Sequence, residues 1–161
     1  MRVAIVFFTL LLGVPVSVAQ DAAVSPATAT LHKLSSVVGS VRAGKVRRVE
    51  ILQVPPGLYT NVAITPDMLE RDYYYKLTIR DIRRTIYEGG IVTAVASVSA
   101  SVGGEMPDLR WGVIFFDEAD KRIGSLYFDS GGTHGAIDSV PVAFGGDLAK
   151  WLRQNFQDVL K

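Results

Sequence analysis

The stretch that decides the fold is Leu109-Arg-Trp-Gly-Val-Ile-Phe-Phe116, followed by Asp117-Glu-Ala-Asp-Lys121 and Arg122-Ile-Gly-Ser-Leu-Tyr-Phe128. Two apolar segments rich in β-branched and aromatic residues, joined by a short charged run, are typical of a β-hairpin. The glycine-rich loop Asp129–Gly135 then leads to a third such segment, Ala136–Phe144. Because short connections place successive strands side by side and antiparallel, the sequence predicts a three-stranded meander.

A C-terminal amphipathic helix is predicted after the meander. Gly145 and Gly146 interrupt the strand, and Asp147 is suited to begin a helix. Apolar residues then recur at helical spacing and form one stripe: Leu148, Trp151, Leu152, Phe156, Val159 and Leu160. An apolar stripe and an apolar sheet face bury each other, so we expect this helix to pack on one face of the sheet.

Further strands are predicted upstream. Val46–Val54 is rich in β-branched residues and stops at a Pro-Pro-Gly sequence, and Tyr73–Ile79 alternates between two faces. Residues 91–102 also alternate, which indicates a long strand, although their alanines equally permit a helix that continues past Gly90. The fold class predicted is α+β, with an antiparallel sheet of about five to six strands.

Two helices are predicted between these strands. Thr65 and Pro66 have the residue types preferred at the N-cap and first position of a helix, which we expect to end near Arg71. Asp81 is suited to cap a second helix that runs through Glu88, with a pair of glycines after it as the exit.

The N-terminal segment 1–19 is predicted to be a secretory signal peptide. Arg2 precedes an apolar run, and Ser17 and Ala19 are the small residues that signal peptidase requires. The apolar run is shorter than the roughly 18–20 residues of a spanning helix, so cleavage near Ala19-Gln20 is favoured over a membrane anchor. We expect a product that is soluble and periplasmic or secreted, with a flexible leader at 20–33 and one α+β domain at 34–161.

Composition narrows the classes of function. The chain has no cysteine, which excludes disulfides, thiolate nucleophiles and cysteine-ligated metals. Without Arg2, the sole charged residue of the signal segment, basic and acidic residues are equal in number. A neutral chain has no global field to attract nucleic acid or an anionic membrane. We therefore expect no nucleic-acid partner, no membrane span after cleavage and no cofactor.

Three consecutive tyrosines, Tyr73, Tyr74 and Tyr75, are the first candidate binding residues. On a strand, Tyr74 points away from its two neighbours, so at least one ring faces away from whatever the other two pack on. Exposed aromatic side chains mark binding surfaces. The competing interpretation is that a second layer of structure covers both faces of the strand.

Three arginines, Arg80, Arg83 and Arg84, are further binding candidates because they cluster around the start of the second predicted helix. A cluster of guanidinium groups suits an anionic ligand or the acidic patch of a partner protein. The competing interpretation is a solvated helix face whose cations pair with nearby acids.

The glycine-rich loop supplies the weak catalytic candidates Asp129, Ser130 and His134, which are the residue types of a hydrolase triad. A triad requires the base to lie within hydrogen-bond reach of the nucleophile, and Ser130 is not in the G-x-S-x-G context that exposes such a serine. Asp117 and Asp120 are weak candidates for a metal site, because Lys121 and Arg122 follow them and break the order of an EF-hand loop.

These features favour a non-enzymatic exported binding protein of the inhibitor, immunity or adaptor type, which acts through loops and exposed aromatics on another envelope or secreted protein. A hydrolase-like enzyme that uses the Asp129–His134 loop is the alternative. A structural or stress-related envelope protein without a discrete site is the third hypothesis.

Overall fold

The protein is described by a computed structural model over residues 25–58, 60–82 and 88–156. Within these residues it has four helices and seven strands. In chain order they are α1 (Pro26–Arg42), β1 (Arg48–Gln53), α2 (Pro66–Asp72), β2 (Tyr75–Arg80), α3 (Glu88–Ala96), β3 (Ser99–Val102), β4 (Leu109–Phe116), β5 (Arg122–Asp129), β6 (His134–Ile137), β7 (Val140–Gly145) and α4 (Leu148–Phe156).

The seven strands form one antiparallel sheet in the order β2-β1-β4-β5-β6-β7-β3. The α+β class and the meander of consecutive antiparallel strands are confirmed, but the predicted five to six strands are too few. The predicted third strand, Ala136–Phe144, is two strands, because Asp138 and Ser139 form a two-residue turn between β6 and β7. Asp138 has a φ of 52°, which aspartate tolerates better than most residues.

The N-terminal prediction needs correction. From Pro26 the predicted leader is helical, and so is most of the following segment that the sequence analysis assigned to the domain. Ser25 caps α1 by accepting a hydrogen bond from the Thr28 amide at 3.2 Å, and Pro26 begins the helix. The buried residues of the helix recur every three or four positions: Thr30, Leu34, Val37 and Val41. The signal segment and residues 20–24 lie outside the described residues.

The middle of the chain confirms one helix and one strand. Thr65 caps α2 with its side chain, as predicted, and β2 alternates between half-buried or buried residues and exposed ones. The strand begins at Tyr75 rather than Tyr73, because Tyr73 is the C-cap of α2.

The helix predicted from Asp81 to Glu88 falls largely on residues 83–87, which lie outside the described residues, but its predicted end is wrong. The helix described here begins at Glu88 and passes through the two glycines that were expected to stop it. A Cβ atom on Gly90 would lie 2.4 Å from the Trp151 indole nitrogen, so glycine is needed there for close approach of α3 and α4. Residues 91–102 were predicted as either a long strand or a continued helix, and both are present: α3 continues to Ala96, and β3 follows at Ser99–Val102.

Helices cover both faces of the sheet to different extents. The face that carries Val49, Val113 and Leu126 packs against α1, α3 and α4 in the larger core cluster. The opposite face is covered by α2, where Leu69 joins a smaller cluster with Leu52. The predicted packing of α4 on one face is confirmed, and its buried residues are Leu148, Ala149, Leu152 and Phe156. Trp151 of the predicted stripe is half-buried, and Val159 and Leu160 lie outside the described residues.

No helix in the described part of the chain combines the length and the apolar character needed to traverse a membrane.

Candidate binding site

Exposed large hydrophobic side chains concentrate between β1 and β2. Leu58 is 44% exposed, Val62 60%, Tyr73 38% and Tyr74 62%. These four residues all lie in the segment 54–74, which we call the β1–β2 connection. Its two ends lie at the same edge of the structure, because Gln53 and Tyr75 are paired across the two strands. The connection therefore presents apolar and aromatic groups to solvent at one end of the sheet.

A buried arginine holds the first part of the β1–β2 connection in place. Arg110 of β4 is 7% exposed and donates to the carbonyl oxygens of Leu58, at 2.7 Å, and Pro55, at 3.2 Å. Its guanidinium also pairs with Asp108, whose other carboxylate oxygen accepts from the Ile64 amide at 2.9 Å. Because a buried charge is stable only when it is paired, this network fixes the loop that carries Leu58.

The predicted tyrosine cluster lies at the other end of the connection. The Tyr74 amide donates to the Gln53 carbonyl oxygen at 2.9 Å, and the Tyr74 and Tyr75 rings meet edge to face with centroids 4.7 Å apart. The ammonium group of Lys76 lies 5.8 Å from the Tyr73 ring centroid, in cation–π range. Tyr73 and Tyr74 face solvent, whereas Tyr75 is half-buried. Tyr59, a further tyrosine of the connection, lies outside the described residues.

Gln53 is not among the binding residues predicted from the sequence. Its cross-strand neighbours are Tyr75 on β2 and Trp111 on β4, so an amide stands between two aromatic residues. Gln53 is 5% exposed, and its side-chain oxygen Oε1 has no hydrogen-bond partner in the structure described here. The strand pattern gave a signal, since Val49, Ile51 and Gln53 share the buried face and Gln53 is the polar exception.

A polar cleft of about 460 Å³ lies elsewhere, between α1, α2 and β5. Arg122 of β5 makes a two-pronged ion pair with Glu70 of α2 at 2.8 and 2.9 Å, and the Tyr127 hydroxyl donates to the same carboxylate. Ser125 donates to Asp138 at 2.9 Å, and Asp138 pairs with Lys33 of α1 at 2.6 Å. These groups satisfy one another and tie two helices to the sheet.

Ionisation in the polar cleft follows from this pairing. Burial raises the pKa of Glu70, but hydrogen bonds from Arg122 and Tyr127 outweigh burial, and the net pKa lies below its usual value. The pKa of Asp138 is also lowered, because hydrogen bonds from Lys33 and Ser125 outweigh burial. Burial, with the hydrogen bond to Glu70, raises the pKa of Tyr127. The two carboxylates are therefore charged partners of fixed cations, as expected for a structural network.

The catalytic candidates are not assembled as a triad. Asp129 Oδ1 accepts from the amides of Gly132, Thr133 and His134 at 2.5, 3.1 and 3.3 Å, which closes its own loop. The His134 ring lies 3.7 Å from Asp129 and 3.1 Å from the Thr133 hydroxyl. Ser130 contributes its carbonyl oxygen to Arg153. None of the described hydrogen bonds joins the Ser130 hydroxyl to His134.

The metal candidates are used by the β4–β5 turn. Asp117 Oδ1 accepts from the amides of Ala119 and Lys121, both at 2.9 Å. Asp120 pairs with Arg48 at 2.8 Å, and this hydrogen bond lowers its pKa. Within the described ranges, no group of three or more His, Cys, Asp or Glu side chains is placed to hold a metal ion.

Arg80 is separated from the tyrosines. It is exposed at the C-terminal end of β2, whereas Tyr75 begins the same strand, and five residues of strand span roughly 17 Å. Arg83 and Arg84 lie outside the described residues. Arg80 and Tyr75 therefore lie at opposite ends of β2.

Comparisons of the chain with protein-family models, with curated proteins and with solved structures gave no match. The arrangement of side chains thus provides the grounds for a function.

Proposed function

We propose that the chain is an exported, non-enzymatic binding protein of the inhibitor, immunity or adaptor type, with the β1–β2 connection as its contact surface. The observation that carries the proposal is the concentration of Leu58, Val62, Tyr73 and Tyr74 in this single connection. Exposed apolar groups cost solubility, and clustered ones mark interaction sites. The partner is another envelope or secreted protein.

The residue types support a protein partner. Tyrosine combines a large apolar ring with a hydroxyl, and it is enriched among the residues that dominate binding energy at protein interfaces. Among the described large hydrophobic side chains of the connection, Tyr74 is the most exposed, and its amide donates to the Gln53 carbonyl oxygen. A contact surface held in this way loses less conformational entropy when it binds.

Two steps identify and test the partner. A photoreactive residue at Val62 should crosslink a partner in an envelope extract, whereas the same residue at Leu31 of α1 should not. Purified partner should then bind Tyr74→Ala at least about tenfold more weakly than wild type, as expected for loss of an aromatic anchor. Leu31→Ala is the matched control, since Leu31 is exposed to the same extent as Tyr73 but lies on another element. Equal losses in both variants would contradict the proposal.

Export has its own test. The proposal places the mature N-terminus near Gln20, because small residues precede that position and an apolar run precedes them. N-terminal sequencing of the protein from its native source should therefore begin near Gln20. If Met1 is still attached, the proposal of a cleaved and released protein is wrong, and the protein is anchored or not exported.

A further inference from the structure

A small pocket lies beside the tyrosine cluster, on the sheet face that α4 covers. It has a volume of about 90 Å³, and its described lining residues are Ile51, Gln53, Tyr75, Lys76, Leu77, Trp111 and Phe156. We call it the Gln53 pocket. Apart from the Gln53 amide and Lys76, the lining side chains are aliphatic or aromatic, with one hydroxyl on Tyr75 and one indole N–H on Trp111. Mostly apolar walls with a few polar groups are typical of small-molecule sites.

The Gln53 amide is the polar group that lacks a partner. Gln53 Oε1 is buried and accepts no hydrogen bond in the described structure. Buried polar groups are nearly always satisfied, so an exception points to a missing partner. The χ3 torsion of a glutamine side chain has a broad energy minimum, so the amide can rotate at low cost. Because Oε1 accepts no hydrogen bond in the described structure, it loses none when it turns toward the pocket. A ligand with a donor can therefore supply the missing partner.

Among the described residues, the pocket has one charged group, and that group is paired. Lys76 lines the pocket, but along β2 its side chain alternates with Tyr75 and Leu77, and its ammonium group pairs with Glu50 at 3.0 Å. The described wall residues therefore offer an anionic ligand no unpaired cation and a cationic ligand no carboxylate. A neutral ligand is the class that these walls accommodate.

We propose that the Gln53 pocket binds a small, neutral aromatic molecule with one hydrogen-bond donor, of the phenol or indole class. The aromatic ring packs against Tyr75 and Trp111, the two cross-strand neighbours of Gln53. The donor bonds to Gln53 Oε1. The inference rests on the proposed binding function and adds a ligand class at the same end of the sheet.

Nuclear magnetic resonance titration of the full mature protein tests this site, with phenol as the probe and toluene as its match without a donor. Phenol should shift the signals of the Gln53 side-chain amide and the Trp111 indole in a saturable way. It should bind roughly three- to tenfold more tightly than toluene, since one net hydrogen bond separates the two. Gln53→Leu should abolish this preference, and Gln154→Leu on the exposed face of α4 should preserve it.

Three outcomes would overturn the inference. They are the absence of saturable shifts at both residues, equal affinity for phenol and toluene in wild type, and an ordered water at Gln53 that phenol does not displace. The comparison of phenol with toluene uses only the wild-type protein, so it tests the hydrogen bond to Gln53 even if Gln53→Leu folds poorly. Failure here would leave the crosslinking contrast between Val62 and Leu31 unaffected, so the protein-binding proposal is tested separately.

Discussion

Replacement of Gln53 by leucine should make the free protein more stable. In wild type, folding removes water from the side-chain amide, and Oε1 receives no hydrogen bond in exchange. An unsatisfied buried acceptor costs about 1–3 kcal/mol. Leucine removes that cost and adds an apolar side chain beside Tyr75 and Trp111. Because leucine is branched and packs differently from glutamine, imperfect packing can reduce this gain in unfolding free energy by up to about 1.5 kcal/mol.

The net expectation for Gln53→Leu is a gain of about 1–2 kcal/mol in the free energy of unfolding. For a chain of this size, each kcal/mol raises the melting temperature by roughly 2–4 °C. Equilibrium urea unfolding measures the change, and an unaltered m-value shows that two-state behaviour is preserved. Gln154→Leu, at an exposed position, should stay within about 0.5 kcal/mol of wild type.

A loss of stability in Gln53→Leu beyond about 1 kcal/mol would refute this reasoning, because it would mean that Oε1 has a partner. An ordered water is the simplest such partner. The same result would remove the main support for the Gln53 pocket. A gain confined to Gln53→Leu would instead identify a position where stability is sacrificed, as is common at binding sites.

Three further predictions concern the remaining sites. Glu70 has a lowered pKa when folded, so its stabilising effect is complete above the usual value of 4.5 and is lost as pH falls through the lower folded value. In Glu70→Gln, the free energy of unfolding should therefore decrease less steeply with falling pH below 4.5 than in wild type, as measured by urea unfolding at a series of pH values. The same steepness in both proteins would contradict this prediction. Asp129→Ala should cost about 0.5–2 kcal/mol through three lost amide contacts, whereas Ser130→Ala should change stability by less than about 0.5 kcal/mol. A loss of hydrolytic activity on Ser130→Ala would instead revive the enzyme hypothesis. Gly90→Ala should destabilise the protein by about 1–3 kcal/mol, because the new methyl group meets the Trp151 indole of α4. Gly39→Ala lies in α1 with open space around it, so it should be neutral or stabilising by up to about 1 kcal/mol. Thermal unfolding of both variants measures the difference, and equal changes in melting temperature would contradict the prediction.

Local sequence signals predicted much of the fold. The alternation in β2, the Thr65 cap of α2 and the apolar β4 and β5 segments are each recognisable within a few residues. Helix α1 was missed because its first turns consist of small and β-branched residues, and contact with the sheet stabilises it. Local propensity did not reveal that contact.

The two glycines in α3 and the turn at Asp138 show a different limit. Gly90 is typical of a helix end, yet its role is to let α4 approach, which depends on Trp151 far along the chain. Asp138 divides one predicted strand into two with a two-residue turn that lacks the usual glycine. In both cases local sequence signals alone did not predict the observed backbone.

The candidate site was only partly predictable. The run of tyrosines was recognisable in the sequence, and Tyr73 and Tyr74 are exposed. The alternation argument for their exposure is wrong, because Tyr73 is the C-cap of α2 and β2 begins only at Tyr75. The Gln53 pocket and the ion pair of Glu70 with Arg122 join residues from separate elements, so no spacing in the sequence indicates them. The lack of a partner for Gln53 Oε1 is likewise a property of three neighbouring strands rather than of one.

The affinity of the crosslinked partner for wild type, Tyr74→Ala and Leu31→Ala tests the central claim most directly. All three proteins should unfold at similar urea concentrations, since both side chains are exposed. Tyr74→Ala should raise Kd by at least about tenfold, and Leu31→Ala should leave it unchanged. Equal Kd values for wild type and Tyr74→Ala would contradict the proposal that the β1–β2 connection is the contact surface.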